Sequence, residues 1–331
     1  MGVVVAVPLF IVALVVMLAA AATFARRLDR LGAKFGLSEV SIGLLTAVAA
    51  DGPEVSSALV ALIKGSHAAG VGVIVGSNTF NLAAMIGVSV LIAGAVRVPR
   101  KTLLLEGTVG LAVTAIVIAL LLGWVPVAVA VILLACVLTP YLVLVLGGYE
   151  QACRVGLRRL AALVLERDSV DAEAHHGRHA IPEFATHRQL ALMAVDLVLI
   201  VGGSYGMVQA ALTLGNRWGV ASGLVGTLIL GPLTSLPNAL TGIRLGMARR
   251  GAALVTEALN SNSINLVAGV ALPSIFVVLT ARSAQNQLEL ALLAAATLVT
   301  VGLLAARGGV RRIGAAIIVA LYAAFVAATL S

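Results

Sequence analysis

Long apolar runs fill most of this chain and restrict its fold more than any other feature. A helix that crosses the hydrocarbon core of a bilayer needs about 20 mainly apolar residues. Ten runs of this kind lie at 2–24, 38–64, 66–96, 102–122, 124–147, 188–213, 221–247, 251–281, 287–306 and 311–330. Backbone that faces lipid must satisfy its own hydrogen bonds, and alternation of polar and apolar residues is weak. The sequence therefore predicts an all-α integral membrane protein with ten transmembrane helices.

The composition excludes a water-soluble globule. Of the 331 residues, 61% are hydrophobic and 11% are charged, which leaves too little polar surface to cover a soluble fold. The small residues of "AAAATFA" in the first run are similar to a signal-peptide cleavage site. That run lacks a basic leading region, however, and "RRLDRLGAK" follows it at once. It is therefore predicted to be the first span.

Basic residues predict the orientation of the chain. The net charge is +8, and Lys and Arg accumulate in the cytoplasmic loops of membrane proteins. With the N-terminus outside, the outer loops hold only Lys64, Arg217 and Arg282. The sequence predicts a multi-pass protein of the cell inner (plasma) membrane, with both termini outside and the 148–187 loop in the cytoplasm. The excess charge indicates membrane lipid as a partner and does not require nucleic acid.

An internal repeat divides the chain into two halves. The segment "GPEVSSALVALIKGSHAAGVGVIVGSNTFNL" is similar to "LPNALTGIRLGMARRGAALVTEALNSNSINL", and Pro53 matches Pro237 at an offset of 184 residues. Five predicted spans separate the copies, so the copies cross the membrane in opposite directions. The predicted domains are a first five-helix repeat at 1–147, a linker at 148–187 and a second five-helix repeat at 188–331.

Two carboxylates lie inside the second predicted span. In "TAVAADGPEVSSALVALI", Asp51 and Glu54 flank a Gly-Pro pair. Pro53 and Pro237 each remove a helical hydrogen bond within a span. Broken helices expose carbonyls and helix ends that bind ions near the middle of the membrane. Carboxylates beside such a break predict an oxygen-rich cavity for a hard cation.

The paired motifs resemble the two alpha-repeats of the cation/Ca2+ exchanger superfamily (sodium/calcium exchanger membrane region). Members carry a "GTSLPE"-like break and a "GSNxxN"-like motif in each half. Here they stand as "AADGPE" with "GSNTFN" and as "PLTSLPN" with "NSNSIN". The chain resembles a divergent, prokaryotic-type member with alpha-repeat motifs at 43–87 and 226–273. The resemblance implies four helices around cations at the bilayer midplane, and sliding of the first and sixth spans that alternates access.

The resemblance also implies a set of cation ligands. Glu54 is the expected main carboxylate ligand, and Asn81 and Asn265 are further expected metal ligands. Asp51 is added to these metal ligands as an extra acid beside the same break. The other expected oxygen donors are side chains and backbone carbonyls on the same four helices: Ser77, Thr234, Ser235, Asn238, Ser261, Ala47, Ala50 and Gly231.

Two positions depart from the family pattern. Asn238 stands where the family usually has its second glutamate, and Asn265 stands where a member often has aspartate. Asp51 is an additional acid, and we expect it to replace part of the lost charge. Two negative charges neutralise one Ca2+ but suit three Na+ poorly. Neighbouring carboxylates in a low-dielectric cavity also favour retention of a proton on one of them.

The predicted function is secondary active antiport of Ca2+, or a related cation, against H+ or Na+ by alternating access. Neither an enzymatic activity nor a cofactor is expected, since the spans show no nucleophile paired with a base. The alternative is a non-transporting membrane scaffold or sensor descended from exchangers, because Asn238 in place of glutamate could mean lost transport. The sequence leaves the transported ion, the counter-ion and the oligomeric state open.

Other polar groups have two interpretations. Glu257 and Asp196 could serve as a proton relay or line a vestibule, or they could form salt pairs with Arg244. Histidines and acids in the linker could bind Zn2+ or sense Ca2+, but their spacing fits no fixed ligand pattern. These linker residues are His175, His176, His179, His187, Glu173 and Glu183. A solvated linker is expected there, preceded by an amphipathic helix in "YEQACRVGLRRLAALVLERD" that lies on the inner leaflet.

Overall fold

The computed structural model describes residues 2–34, 47–164, 183–281 and 283–331. The described chain is mostly helical, as predicted. Its helices are α1 (Val3–Lys34), α2 (Gly52–Ile63), α3 (His67–Ala93), α4 (Arg100–Leu121), α5 (Val127–Arg154), α6 (Arg158–Val164), α7 (Glu183–Arg217), α8 (Ser222–Thr234), α9 (Leu236–Met247), α10 (Gly251–Leu266), α11 (Ala284–Arg307) and α12 (Arg312–Leu330).

Seven of the described helices are long and apolar enough to cross a membrane. The bent pair of α8 and α9 raises this number to eight if the pair forms one span. The shorter α2 is mainly apolar over its 12 residues, whereas α10 carries more polar side chains. A helical membrane protein with many spans is thus confirmed, and the number of ten spans stays a prediction.

The two predicted helix breaks are present and are alike. Asp51, directly before α2, has φ −79° and ψ −4°. Ser235, directly before α9, has φ −84° and ψ 0°. The two residues are 184 positions apart, and the next helix has proline in its first turn in both cases. Asp51 therefore takes the position in the first repeat that Ser235 takes in the second.

The helix α3 runs through the centre of the molecule. In the most apolar 18-residue stretch of α3, 83% of the residues are buried, whereas 22% are buried in the corresponding stretch of α1. It crosses α8 at very short range, because a Cβ atom on Gly76 would lie 2.0 Å from the Thr227 carbonyl oxygen. A Cβ on Gly226 would lie 2.3 Å from the carbonyl oxygen of Ala69. Glycine at both positions lets the two backbones touch.

Each repeat also contains a π-helical stretch at a matching place. Leu82–Val88 forms one within α3, and Val267–Ala271 forms the other directly after α10. The offset of 184 residues maps the first stretch onto the second to within one residue at each end. The widened turns follow the "SNTFN" and "SNSIN" motifs, which places them beside the candidate site.

A short two-stranded ladder interrupts the otherwise helical fold. Strand β1 (Ala95–Arg97) pairs antiparallel with β2 (Gly309–Arg311), and Val96 lies opposite Val310. A Cβ on Gly309 would meet the Val96 carbonyl oxygen at 2.1 Å, so the glycine permits the pairing. The all-α prediction missed this ladder, because three-residue strands leave no periodic pattern in the sequence.

Candidate cation site

The candidate site forms where the N-termini of α2 and α9 meet the middle of α3 and of α10. Glu54 lies in the first turn of α2, and Asn238 lies in the first turn of α9. Both side chains are buried to 1% exposure or less. The positive end of each helix dipole therefore faces the buried carboxylates and partly offsets their charge.

Asn238 lies between the two carboxylates. Its Nδ2 atom is 2.8 Å from Oδ1 of Asp51 and 2.9 Å from Oε1 of Glu54. Ser235 donates a further hydrogen bond of 3.0 Å to the same Glu54 oxygen. Glu54 and Asn238 are equivalent positions of the two repeats, 184 residues apart, so the repeats meet at this contact.

The helices α3 and α10 complete this arrangement with hydroxyl and amide groups. Ser261 Oγ donates to Oδ1 of Asp51. The same hydroxyl oxygen accepts a hydrogen bond of 3.1 Å from Asn81 Nδ2. Asp51, Glu54, Asn81, Asn238 and Ser261 thus form one hydrogen-bonded cluster drawn from both repeats.

A second pair of asparagines ties α3 to α10 and was not predicted as part of the site. Asn78 Nδ2 donates to the Asn262 carbonyl oxygen at 2.9 Å, and Asn262 Nδ2 donates to the Asn78 carbonyl oxygen at 3.2 Å. Asn265 Nδ2 donates to Oδ1 of Asn78 at 3.1 Å. The matched "SN" dipeptides of the two motifs were the available signal, since their offset predicts a reciprocal contact across a two-fold axis.

Several buried oxygen atoms at this crossing accept no hydrogen bond from any residue that the structure describes. They are Oδ2 of Asp51, Oε2 of Glu54 and the amide oxygens of Asn81, Asn238, Asn262 and Asn265. The amide orientations follow from the hydrogen bonds that the nitrogens donate. Buried acceptors without donors are rare and costly in proteins. A group of carboxylate and amide oxygens suits a hard cation as ligand set.

Other predicted ligands are buried nearby but bond to their own helices. Ser77 donates to the Ile74 carbonyl at 3.1 Å, and Thr234 donates to the Leu230 and Gly231 carbonyls, at 2.9 Å each. The Ala47 carbonyl accepts from the Asp51 N–H at 3.0 Å. Ala50 is partly exposed at the break. The Ser77 and Thr234 hydroxyl oxygens donate here and can still accept, whereas the Gly231 carbonyl already accepts from the Thr234 hydroxyl and from the Ser235 N–H. The role of these groups as ligands stays a prediction.

The predicted salt pairs with Arg244 do not form in the described part of the chain. Asp196 of α7 instead accepts a hydrogen bond of 2.8 Å from Arg27 and one of 2.9 Å from Thr23. Both donors lie on α1. Glu257 lies one turn before Ser261 on α10 and is partly buried. Asp196 thus fastens α1 to α7, whereas a relay or vestibule role for Glu257 stays a prediction.

The structure describes only part of the predicted linker. The histidines 175, 176 and 179 and residue 173 lie outside the described residues. His187 is exposed near the start of α7. The predicted amphipathic segment is divided between the end of α5 and α6, where Arg158 and Arg159 are exposed.

Comparison with known proteins assigns the family. The model of the sodium/calcium exchanger protein family matches residues 5–149 and 188–331, which is most of the chain. The chain belongs to the sodium/calcium exchanger family. The resemblance drawn from the motifs is thereby confirmed, and this exchanger-family protein is a multi-span membrane protein of a transporter family.

Solved structures share the fold of this exchanger-family protein. The sodium-calcium exchanger NCX_Mj is 18% identical, with a TM-score of 0.64 over 98% of this chain and 99% of that chain. YfkE is 15% identical, with a TM-score of 0.66 over 97% of this chain and 92% of that chain. At these identities the likeness shows the fold alone.

One curated relative matches over a short segment. CaxA of Alkalimonas amylolytica, which is described as an antiporter, is 40% identical over 60 residues. The matched segment covers 18% of this chain and 19% of that protein. The likeness in this segment supports membership of a cation-exchange family.

Proposed function

We propose that this protein is a secondary active antiporter that exchanges Ca2+, or a related cation, for H+ or Na+ by alternating access. One observation carries the proposal, namely the buried acceptor oxygens without hydrogen-bond donors around Asp51 and Glu54. A bound cation would satisfy these oxygens together. A scaffold without transport would have no need to keep them, because apolar residues would pack there at lower cost.

Asn238 would act as a stand-in for the cation. Its N–H2 group bonds to both carboxylates and to the Ser261 hydroxyl oxygen, although an amide nitrogen has only two hydrogens to donate. Rotation of the amide would turn its unpartnered oxygen toward the place that the nitrogen now occupies. An arriving cation would therefore gain an oxygen ligand at the position where the Asn238 nitrogen donates.

The cation ligands that we propose come from both repeats. Carboxylate oxygens come from Asp51 and Glu54, and amide oxygens come from Asn81, Asn238 and Asn265. Hydroxyls of Ser77, Thr234, Ser235 and Ser261 would complete the shell, with the carbonyls near Ala47, Ala50 and Gly231 within the same crossing. Two carboxylates balance one divalent cation, so Ca2+ is the first candidate cargo. Two protons or two Na+ would restore the same charge in the return step.

The architecture that goes with this function is two inverted five-helix repeats, ten spans in all. The reciprocal Asn78–Asn262 hydrogen bonds and the paired helix breaks support that symmetry. The distribution of basic residues supports a plasma-membrane protein with both termini outside.

Flux in proteoliposomes tests the proposal. Purified protein would be reconstituted with Ca2+ and pH dyes inside, and a proton gradient or a Na+ gradient would be imposed. We expect Ca2+ movement under one of these gradients, and loss of this movement in Glu54→Gln. Glu150→Gln is the matched control, because it removes an exposed carboxylate at the end of α5.

The comparison of the two gradients identifies the counter-ion, and the absence of any cation flux would test the proposed function itself. Ca2+ movement with an opposing pH change identifies H+ as the counter-ion, whereas movement that requires Na+ identifies Na+. Absence of flux for Ca2+, Mg2+, Mn2+ and K+ in folded, inserted protein would reject antiport and favour the scaffold.

A further inference from the structure

Another buried carboxylate lies outside the candidate cation site, on α4. Glu106 is 5% exposed, and the hydroxyl of Tyr141 on α5 lies 3.1 Å from its Oε2 atom. The same hydroxyl lies 2.7 Å from Oδ1 of Asn260 on α10. Asn260 directly precedes Ser261, which bonds to Asp51. These contacts therefore join three helices and end next to the cluster that we assign to the cation.

The number of hydrogen atoms available to the Glu106–Tyr141–Asn260 contacts indicates the protonation state of Glu106. A tyrosine hydroxyl has one proton and can donate it to one acceptor only. With an ionised Glu106, the hydroxyl would face a carboxylate oxygen and an amide oxygen, and one of the two contacts would contain no hydrogen. A proton on Glu106 removes this conflict, because the carboxyl donates to Tyr141 and Tyr141 donates to Asn260. Only a reversed Asn260 amide would suit an ionised Glu106 equally well.

An ionised Glu106 would also have no compensating cation paired with it among the described residues. The helices packed against α4 are α5, α6, α10 and α11, and they carry the charged residues Glu150, Arg154, Arg158, Arg159, Arg307, Glu257 and Glu289. Among the described residues, none of these charges forms an ion pair or hydrogen bond with Glu106. On α4 itself, Arg100 and Lys101 lie in the first turn, more than one turn before Glu106. An uncompensated charge in the membrane interior is costly, whereas a protonated carboxyl is not.

We propose that Glu106 is a further proton-binding site of this protein, separate from Asp51 and Glu54, and that its proton leaves or returns when α10 shifts during exchange. This inference rests on the proposed antiport and adds a protonation site to it. The helix α10 holds Ser261 and Asn265, so its position depends on the bound cation. A shift of α10 breaks the bond from Tyr141 to Asn260. Tyr141 then donates its O–H to Glu106, and the carboxyl releases its own proton to water, so that one proton leaves and no covalent bond other than O–H changes.

Infrared difference spectroscopy of the protein in lipid vesicles tests whether the proton is there. We expect the wild type to show a C=O absorption of a protonated carboxyl that Glu106→Gln removes. Tyr141→Phe keeps the ring packing and should shift this absorption without removing it. Glu289→Gln is the matched control, because it removes another buried carboxylate that bonds to a hydroxyl, that of Thr227 at 3.2 Å, and it should leave the Glu106 absorption in place.

The absorption of an ionised carboxylate at Glu106 would overturn the proposal. That result would appear as loss of a carboxylate band, and of no C=O band, in Glu106→Gln. If Glu106→Gln does not fold, Tyr141→Phe decides alone, since an unchanged spectrum in that variant would also contradict the assignment.

Coupling to the cation is tested by proton release on addition of Ca2+ to purified protein in weakly buffered detergent solution. We expect Glu106→Gln to release fewer protons than the wild type, and Glu289→Gln to release as many. Equal release by Glu106→Gln and the wild type would reject the coupling. The infrared test requires no transport, so a protein without flux that keeps the Glu106 absorption would reject antiport and retain the proton site.

Discussion

Asn238 shows at the residue scale how this chain departs from its family pattern. An amide stands where a second glutamate is usual, and its nitrogen bonds to both remaining carboxylates. The amide therefore holds two negative groups close together without adding charge. The sequence itself shows the asparagine at this position. The contact of Asn238 with both carboxylates could not be predicted, because it depends on how α2 and α9 cross and local sequence carries no signal for that crossing.

Removal of the Asn238 amide should weaken the site. Asn238→Leu keeps a similar volume but removes the amide donor that Asp51 and Glu54 share, and leaves each carboxylate with one serine hydroxyl as donor. A lost hydrogen bond to a charged group costs about 1.5–3 kcal/mol, so we expect the apparent cation affinity to fall by about tenfold or more. Proteoliposome flux at varied Ca2+ concentration measures this affinity. An affinity equal to that of the wild type would show that Asn238 does not contact the cation.

Asp51 can be exchanged for the residue at its equivalent position, Ser235. Asp51→Ser leaves Glu54 as the single carboxylate of the cluster and keeps a hydroxyl at the break. We expect transport of divalent cations to fall by at least about tenfold, because removal of one partner of a buried charged contact costs roughly 2–5 kcal/mol. Transport of Na+ or K+ should fall less. Flux of Ca2+ and of a monovalent cation, measured in the same vesicles, gives the ratio, and an equal loss for both would contradict the charge argument.

At the scale of helices, the close crossing of α3 and α8 depends on glycine residues, which have no side chain. A Cβ on Gly76 would lie 2.0 Å from a backbone oxygen, and backbone cannot move aside as a side chain can. The sequence indicated close packing through its 34 glycines. It did not indicate which glycines lie at a crossing, because that depends on contacts between segments far apart in the chain.

We expect Gly76→Ala to destabilise the protein by about 1–3 kcal/mol, the usual cost of overpacking. The matched control is Gly302→Ala in α11, since nothing lies within 4 Å of a Cβ at that position. Thermal unfolding of both variants in detergent measures the difference. Equal unfolding temperatures would show that the backbones are farther apart than described.

The helices α1 and α7 form the most extensive helix pairing in the described chain. Asp196 of α7 fixes the position of one helix along the axis of the other. Its two oxygens bond to Thr23 and Arg27. The family resemblance implies that the corresponding spans slide during transport. We therefore expect the two helices to move as one body. In the described chain Asp196 pairs with Arg27 in place of Arg244, the partner that the sequence suggested.

A double-mutant cycle tests this joint. Asp196→Asn and Arg27→Gln should each lower the unfolding temperature, and the double variant should lose less than the sum, with a coupling of about 1–2 kcal/mol. We also expect slower exchange in Asp196→Asn, because the two helices no longer move together. Additive losses would show that the pair contributes nothing to the joint.

At the scale of the whole molecule, the sequence predicted the class of fold, the two breaks and the pairing of the repeats. Apolar length, proline and the constant offset carry those features locally. The asparagine pair at positions 78 and 262, the Glu106 chain and the strand ladder were not predicted. Each of these joins segments that approach one another only after the helices pack, so no local pattern reports them.

The orientation of the whole chain is predicted from its basic residues and can be measured by labelling. In a Cys136→Ala, Cys153→Ala background, Ser331→Cys should react with a membrane-impermeant thiol reagent on intact cells. Arg159→Cys, on α6, should react only after the membrane is opened. Both replaced positions are exposed. The reverse pattern would place both termini in the cytoplasm and invert the predicted topology.

The ladder between β1 and β2 has a consequence for how the protein is made. The paired residues Ala95 and Arg311 are separated by most of the chain, and a ribosome synthesises the N-terminal segments first. The edge of β1 therefore stays unpaired until α11 and β2 have been synthesised. We expect chains truncated before β2 to present an open strand edge that quality-control proteases and chaperones can recognise.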